Sequence, residues 1–321
     1  LMARVYQVGF EAADVTADNI TVGGVPTPSY DTTVVHGAGR SMKFTGQQPY
    51  AQTNSAAFHH FSRVYVKFTA WPNVNTPVFT GHGSLGGLAV STTGVLHTYV
   101  GATTATTTVG ARGTSYQLAL NVWYLLETHT VMVGSSGADT LETKVNGKVL
   151  YSSTATNFTD ASGSIAYIGL LASTVTSGTM YADDFASNDN TGSAPHNSWV
   201  GDGDIVNLEP TSDSARGANW VAGAGGTTNL WQAVDNQPPT GVVLASATNT
   251  SQIKNAAKDT TGTYIAAFPA YNASIASGGA GAAGPLDTIT AVAPVAIYGT
   301  SSTTAMQPAL ATSNPSISDT L

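Results

Sequence analysis

The sequence predicts an all-β protein, an antiparallel β-sandwich followed by a second, smaller β-rich domain. Three observations carry this. Only 9% of the 321 residues are charged, and no stretch shows the Glu/Lys-rich periodicity of about 3.6 residues that marks an amphipathic helix. Thr, Ser, Asn and 34 Gly replace the missing charges, a mixture that disfavours helices and suits strands joined by turns. Short β-branched or aromatic runs recur between clusters of Gly, Asn, Asp and Ser.

A strand-like run opens the chain at 5–10. Residues 64–68 alternate strictly, with Val64, Val66 and Phe68 on one face and Tyr65 and Lys67 on the other, as in a half-buried antiparallel strand. Further runs follow at 78–80, 88–91, 96–100, 116–120 and 124–133, the last long enough to cross a whole sheet. At 143–150, Asn146-Gly147 lies between two strand-like segments and predicts a hairpin with a type I′ turn, because both central residues of that turn need positive φ. Strands at 165–170 and 180–186 complete the first domain, assigned to residues 1–188.

A polar stretch at 187–198 changes the character of the chain, and residues 189–200 are read as a linker. The second domain, 201–299, is expected to contain strands at 204–208, 230–234, 241–244, 264–268 and 286–298, with Trp220 and Trp231 in its core. Residues 278–284 are a low-complexity loop of Gly and Ala. The stretch 300–321 reads as a polar tail with little to bury, ordered only against a neighbouring subunit.

The net charge is −8 and the 11 basic residues are scattered along the sequence, which argues against a nucleic-acid partner. No run of about 18 apolar residues and no apolar signal-peptide core is present, so neither membrane insertion nor general secretory export is expected. Cysteine is absent, which removes disulfides, thiol nucleophiles and Cys-type zinc sites. The sequons at Asn19, Asn157, Asn249 and Asn272 are attributed to chance in a Thr/Ser-rich chain.

The first domain resembles the laminin-G-like, concanavalin A-like jelly rolls of bacteriophage virion proteins. The resemblance rests on an ordered series: Gly9-Phe10-Glu11, the 39–44 segment Gly-Arg-Ser-Met-Lys-Phe, Trp123-Tyr124-Leu125-Leu126-Glu127, the Val145-Asn146-Gly147 hairpin, Tyr167-Ile168-Gly169-Leu170 and Tyr181-Ala182-Asp183-Asp184-Phe185. The continuation from Asn197-Ser198-Trp199 to Pro238-Pro239 is similar to the segment that follows this jelly roll in phage minor structural proteins. The resemblance implies a last strand returning beside the first, with its paired aspartates at the sheet's end. It also implies a virion structural role, as a head decoration, fibre or tail-associated subunit on the particle surface, assembled in the host cytoplasm. Other virion proteins and copies of the chain itself are the expected partners.

A carbohydrate-binding adhesin is the alternative, with Tyr30, Tyr50, Trp71 and Tyr99 as candidate sugar platforms, each weighed against plain packing. Enzymatic activity is not expected. The four glutamates, Glu11, Glu127, Glu142 and Glu209, include no cluster with the spacing of a glycosidase pair. Glu127 and His129 share a strand face, as any exposed polar sheet face would show. His82 occupies the first glycine position that a nucleophile elbow around Ser84 would need. The adjacent His59 and His60 point to opposite faces and cannot chelate one metal together. Calcium is the one cofactor considered, at Asp183, Asp184 and Asp189, with Asp202 and Asp204 as weaker candidates. The competing reading of Asp183 and Asp184 puts one carboxylate on backbone N–H groups of the adjoining loop and the other in water.

Overall fold

The computed structural model describes residues 4–10, 20–37, 39–54, 59–80, 86–100, 112–133, 139–156, 165–191, 197–203 and 205, and beyond them six short strands. The chain divides into two compact units, Leu1–Glu11 with Asp18–Val206, and Ala12–Ala17 with Asn207–Leu321. Every regular element among the described residues is a β-strand.

The first unit holds β1 (Arg4–Val8), β2 (Ile20–Val25), β3 (Ser29–Asp31), β4 (Ser41–Thr45), β5 (Gln47–Asn54), β6 (His59–Ala70), β7 (Thr76–Thr80) and β8 (Gly86–Val90). It continues through β9 (Val95–Val100), β10 (Arg112–Gln117), β11 (Trp123–Val131), β12 (Asp139–Val145), β13 (Lys148–Thr156), β14 (Ile165–Gly169) and β15 (Thr179–Asn188). Two antiparallel sheets form the sandwich. An eight-stranded sheet runs β13-β12-β11-β6-β15-β4-β3, with β1 also paired to β15, and a seven-stranded sheet runs β10-β9-β8-β7-β14-β5-β2. This is the all-β sandwich that the composition and patterning predict, of the jelly-roll kind that the resemblance implies.

The core follows from the alternation. Val64, Val66 and Phe68 of β6 are fully buried, as are Met42, Phe44, Phe79, Leu88, Leu96, Leu126, Leu141 and Phe185. Phe79 and Phe185 meet edge-on between the sheets, with ring centroids 6.1 Å apart. Each such side chain contributes roughly 1.5–3 kcal/mol of burial free energy.

The predicted hairpin joins β12 to β13, and Asn146 and Gly147 take φ values of 47° and 75°. The last strand of the sandwich, β15, lies beside the first, with Val8 opposite Phe185, as the resemblance implies. The register of β15 against β6 shifts between Asp183 and Ala186, where Asp184 has a φ of 51°. This bulge adds a residue to one strand and re-aims the side chains around it.

Four strands of the sandwich escape the sequence pattern, one of them β4, which the sequence reading holds only as the 39–44 segment of the resemblance. β2, β3 and β5 are short or rich in Gly, Gln, Thr and Asn, and they lie at or next to sheet edges, where no continuous apolar face is required. The strand expected at 116–120 instead spans 112–117, and Ala119 donates its N–H to the Tyr124 hydroxyl at 2.8 Å in the turn that follows.

Residues 197–203, read from the sequence as linker and second domain, pack on the eight-stranded sheet. Asn188 donates to the Ser198 carbonyl at 2.8 Å, and Ile205 N–H donates to Asp184 at 2.6 Å.

In the second unit, β16 (Ser212–Arg216) pairs with β19 (Tyr264–Ala267) and β17 (Trp220–Ala222) with β18 (Ile253–Asn255). The expected strand at 264–268 is β19, and Trp220 begins β17. The stretch expected to be an unstructured polar tail contains β20 (Ala309–Ala311) paired with β21 (Ile317–Thr320). There, backbone pairing forms with little apolar patterning to announce it. The strands expected at 230–234, 241–244 and 286–298, most of 204–208, Trp231 and the 278–284 loop lie outside the described residues.

Candidate binding face

The outward side of the eight-stranded sheet gathers most of the chemistry. Strand alternation places Phe61, Arg63, Tyr65 and Lys67 of β6 there, with Trp123, Leu125, Glu127 and His129 of β11, Glu142 and Lys144 of β12, Lys43 of β4 and Tyr181 of β15. Antiparallel register sets these side chains in rows. Glu127 stands between Lys144 and Arg63, and His129 between Glu142 and Phe61. Tyr181 stands between Lys43 and Lys67, and Lys67 is opposite Trp123. Four of the chain's 11 Lys and Arg residues therefore share one sheet face, so basic residues scattered in sequence are gathered in space.

The 197–203 segment lies over half of this face as a strap. Arg63 Nη1 donates to the Gly201 carbonyl at 2.6 Å, and the Gly201 N–H donates to Glu127. The Tyr65 hydroxyl donates to Asp202 and accepts from the Gly203 N–H at 3.3 Å. Arg63, Tyr65 and Glu127 are all buried. Burial pushes the Glu127 carboxyl above its ordinary value, against the opposing pull of Lys144, the Gly201 N–H and Arg63. Burial, with the hydrogen bond to Asp202, likewise raises the Tyr65 phenol.

An aromatic stack fills one end under the strap. Phe61 and His129 lie nearly parallel with centroids 4.1 Å apart, Trp199 meets both edge-on at 5.7 Å, and the Lys144 ammonium lies 3.3 Å from the Trp199 ring centroid. His59 and His129 share a hydrogen bond between their Nε2 atoms at 2.9 Å. Burial, reinforced by His59 and Lys144, lowers His129 to about 4. Burial lowers His59 as well, against the pull of Asp189.

His36, from the loop after β3, joins the covered half to the open half. Its ring stacks on Tyr65 at 3.7 Å and meets Trp123 edge-on at 5.6 Å, while its Nδ1 bonds Asp184 at 2.8 Å. Trp123 is half-buried, and its Nε1 donates to the Val35 carbonyl at 3.0 Å. One edge of the indole is thus fixed by a hydrogen bond, the residue is half-buried, and the half-buried Lys67 ammonium lies 6.0 Å from its ring centroid.

The sequence-predicted site residues are not brought together. Tyr99 is fully buried, and its hydroxyl finds no hydrogen-bond partner among the described residues, so it offers no ring face to a sugar. Trp71 packs on Phe68, with centroids 5.3 Å apart, and covers Gly94. Tyr50 belongs to the seven-stranded sheet, where it meets Tyr167 at 6.0 Å, and Tyr30 is on the edge strand β3 opposite the buried Met42.

Asp183 and Asp184 are both buried, and each accepts hydrogen bonds: Asp183 from His36 N–H and Asp184 N–H, Asp184 from Ile205 N–H and the His36 ring. The expectation that one of them faces water is therefore corrected. Asp189 caps its own turn through Thr191. Among the described residues no group of three or more His, Asp or Glu side chains is placed to hold a metal ion; Asp183, Asp184, Asp189 and Asp202 are engaged with N–H and O–H donors, and Asp204 lies outside the described residues. Glu127 and His129 do share a face, but under the strap, where the sequence reading placed an exposed polar surface.

Lys67 was legible as lying on the face opposite Val64, Val66 and Phe68, whereas Trp123 stood just before the strand expected at 124–133 and was not singled out as a site residue. Their alignment with Tyr181 and Lys43 was not legible, because it depends on the register of four strands far apart in sequence.

Together these features define an all-β jelly-roll sandwich with one sheet face bearing ordered aromatic, basic and histidine side chains. No family model and no curated protein matches the chain. Among solved structures it is similar to a cellulose induced protein, Cip1, at 17% identity over 61% of this chain and 99% of that one, with a TM-score of 0.43. It is similar to the alginate lyase Aly36B at 9% identity over 59% and 98% of the two chains, with a TM-score of 0.42. It is also similar to the receptor binding domain of botulinum neurotoxin type G at 9% identity over 55% and 44%, with a TM-score of 0.38.

Proposed function

We propose that the protein is a saccharide-binding module that holds its ligand on the open half of the eight-stranded sheet, and that it serves as an adhesive structural subunit of a phage virion. The observation that carries the binding reading is Trp123. Its indole is anchored to the Val35 carbonyl, stands among cationic and polar side chains, and belongs to a residue that is only half-buried on a rigid sheet. An aromatic plane bordered by hydrogen-bonding groups matches the apolar face and hydroxyl edge of a pyranose. Placement on a strand holds that plane more firmly than a loop would.

What supports holding over cleavage is the state of Glu127, which is 4% exposed and lies under the strap with its oxygens directed at Gly201 and its basic neighbours. What supports the virion setting is the ordered resemblance of the first domain and the low charge of the chain. A weakly charged polar surface is covered by neighbouring subunits with little charge desolvation. Copies of the chain and other virion proteins are the proposed protein partners, and a host-surface glycan the proposed ligand.

A glycan array with the purified protein tests the reading. Binding is expected, with at least a tenfold loss for Trp123→Ala. Glu127→Gln is expected to leave binding within about twofold, and no glycan is expected to be shortened. Glycan cleavage abolished by Glu127→Gln would overturn the non-enzymatic part. Mass spectrometry and immunolabelling of purified particles test the virion setting, which fails if the protein is absent from them.

A further inference from the structure

We infer that the ligand of the open half is an anionic polysaccharide, recognised by the row Lys43, Tyr181, Lys67, Trp123 that crosses four adjacent strands. This rests on the saccharide-binding reading above and names its substrate class.

The row alternates cation and ring. Register pairs Lys43 with Tyr181, Tyr181 with Lys67, and Lys67 with Trp123, so all four project from the same side of β4, β15, β6 and β11. The Lys43 ammonium lies 5.6 Å from the Tyr181 ring centroid, and the Lys67 ammonium 6.0 Å from that of Trp123. Lys43 and Lys67 are two strand spacings apart, about 9.6 Å. A linear polymer laid across the strands can therefore place repeated negative groups at the two ammonium groups and a sugar unit beside the half-buried Trp123, while the buried Tyr181 forms the floor between the two lysines.

The row also differs in charge from the rest of the face. Lys144 is 3.5 Å from Glu142, and Arg63 stands opposite Glu127 and binds the Gly201 carbonyl. No carboxylate stands in the row itself. The carboxylates around it are already engaged: Asp31 accepts from the Thr33 and Val34 N–H groups while feeling the charge of Lys43, and Asp183 accepts from the His36 and Asp184 N–H groups. Two ammonium groups on a half-open face of a chain with net charge −8 are left for a ligand to neutralise. Nucleic acid suits the row less well, since two cations neutralise few phosphates and the row has a single half-buried ring on which bases could stack.

The test is affinity electrophoresis or calorimetry of the full chain against polygalacturonate and dextran sulfate, with dextran and single-stranded DNA alongside. The inference expects both acidic polysaccharides to bind at least tenfold more tightly than dextran, and affinity to fall as salt rises from about 50 to 300 mM, where screening shortens to under a Debye length of about 10 Å. The double variant Lys43→Met, Lys67→Met, which keeps most of each side-chain stem, is expected to lose tenfold or more on the acidic polymers and to flatten the salt dependence. Its melting temperature should stay unchanged, and any loss on dextran should be several-fold smaller than the loss on the acidic polymers. Binding to one acidic polymer and not the other identifies carboxylate or sulfate as the recognised group and supports the inference. Equal binding to dextran, or no effect of the double variant, overturns the inference and leaves the saccharide reading standing. Preference for DNA also overturns it, and binding to no polysaccharide overturns both readings.

Discussion

The covered and open halves of the eight-stranded sheet's outer face are built by the same strands, β6, β11 and β15, and differ in how their polar groups are satisfied. Under the strap, Arg63, Glu127 and Tyr65 are buried and their partners come from within the chain: the Gly201 carbonyl and N–H, and Asp202. On the open half, Lys67 of β6, Trp123 of β11 and Lys43 of the neighbouring β4 are half-buried, and the two ammonium groups face rings. Rows of cations and rings therefore have two uses on one sheet. Where the chain folds back over them they become part of the fold, and where it does not they remain available for binding.

The largest expected break of this comparison is Arg63→Met. It removes the donor to Gly201 and the cation opposite Glu127, leaving a buried carboxylate short of a partner, a loss on the order of 3 kcal/mol. Chemical denaturation is expected to show this, and proteolysis should show strap release. The same experiment on Lys67→Met should show a change under about 0.5 kcal/mol, since a partly exposed cation over a ring contributes little. Equal losses at the two positions would erase the distinction between the halves.

A pH titration sharpens the comparison next. His129 falls from its ordinary 6.5 to about 4 in the folded chain, so the unfolded chain takes up the proton first. The stability this residue contributes is complete above pH 6.5 and declines as pH falls toward 4. It amounts to about 2 kcal/mol once the partial exposure of the ring is discounted. His129→Phe keeps the stack on Phe61 and is expected to flatten the decline. A slope unchanged by the substitution would contradict the packing described for the covered half.

A further loss is expected at Gly203, whose φ of 148° is a backbone conformation that L side chains rarely adopt, although a Cβ there would meet Arg63 Nη1 only at an ordinary contact distance of 3.4 Å. Gly203→Ala is expected to cost about 1–2 kcal/mol and to raise protease cleavage within 197–203. Glycan affinity should not change.

The sequence made the sandwich readable where burial imposed a period of two. Val64 to Phe68 and the Asn146-Gly147 turn are local signals, each explained by a few adjacent residues. β2, β3 and β5 left no such trace, because strands at or near sheet edges do not need a continuous apolar face. The strap was hidden for a different reason. Gly201-Asp202-Gly203 is ordinary turn chemistry in sequence, and nothing local indicates that Arg63 and Tyr65 are its partners. The aspartates of β15 were legible as special but not in their role, since the donors that occupy them come from His36 and Ile205. Judging aromatics by loop-like surroundings selected Tyr99, which is fully buried, and Trp71, which is half-buried against Phe68 and Gly94, and passed over Trp123, whose strand holds it on the outer face.

The most direct test of the central claim compares two tryptophans. Trp123→Ala and Trp71→Ala should be measured side by side for glycan affinity by calorimetry, with circular dichroism as the check on folding. The account predicts that Trp123→Ala stays folded and loses at least tenfold in affinity, about 1.4 kcal/mol. It predicts that folded Trp71→Ala binds within about twofold of the parent, below about 0.5 kcal/mol. Retained affinity in Trp123→Ala, or selective loss in folded Trp71→Ala, would contradict placing the site on the open half of the eight-stranded sheet.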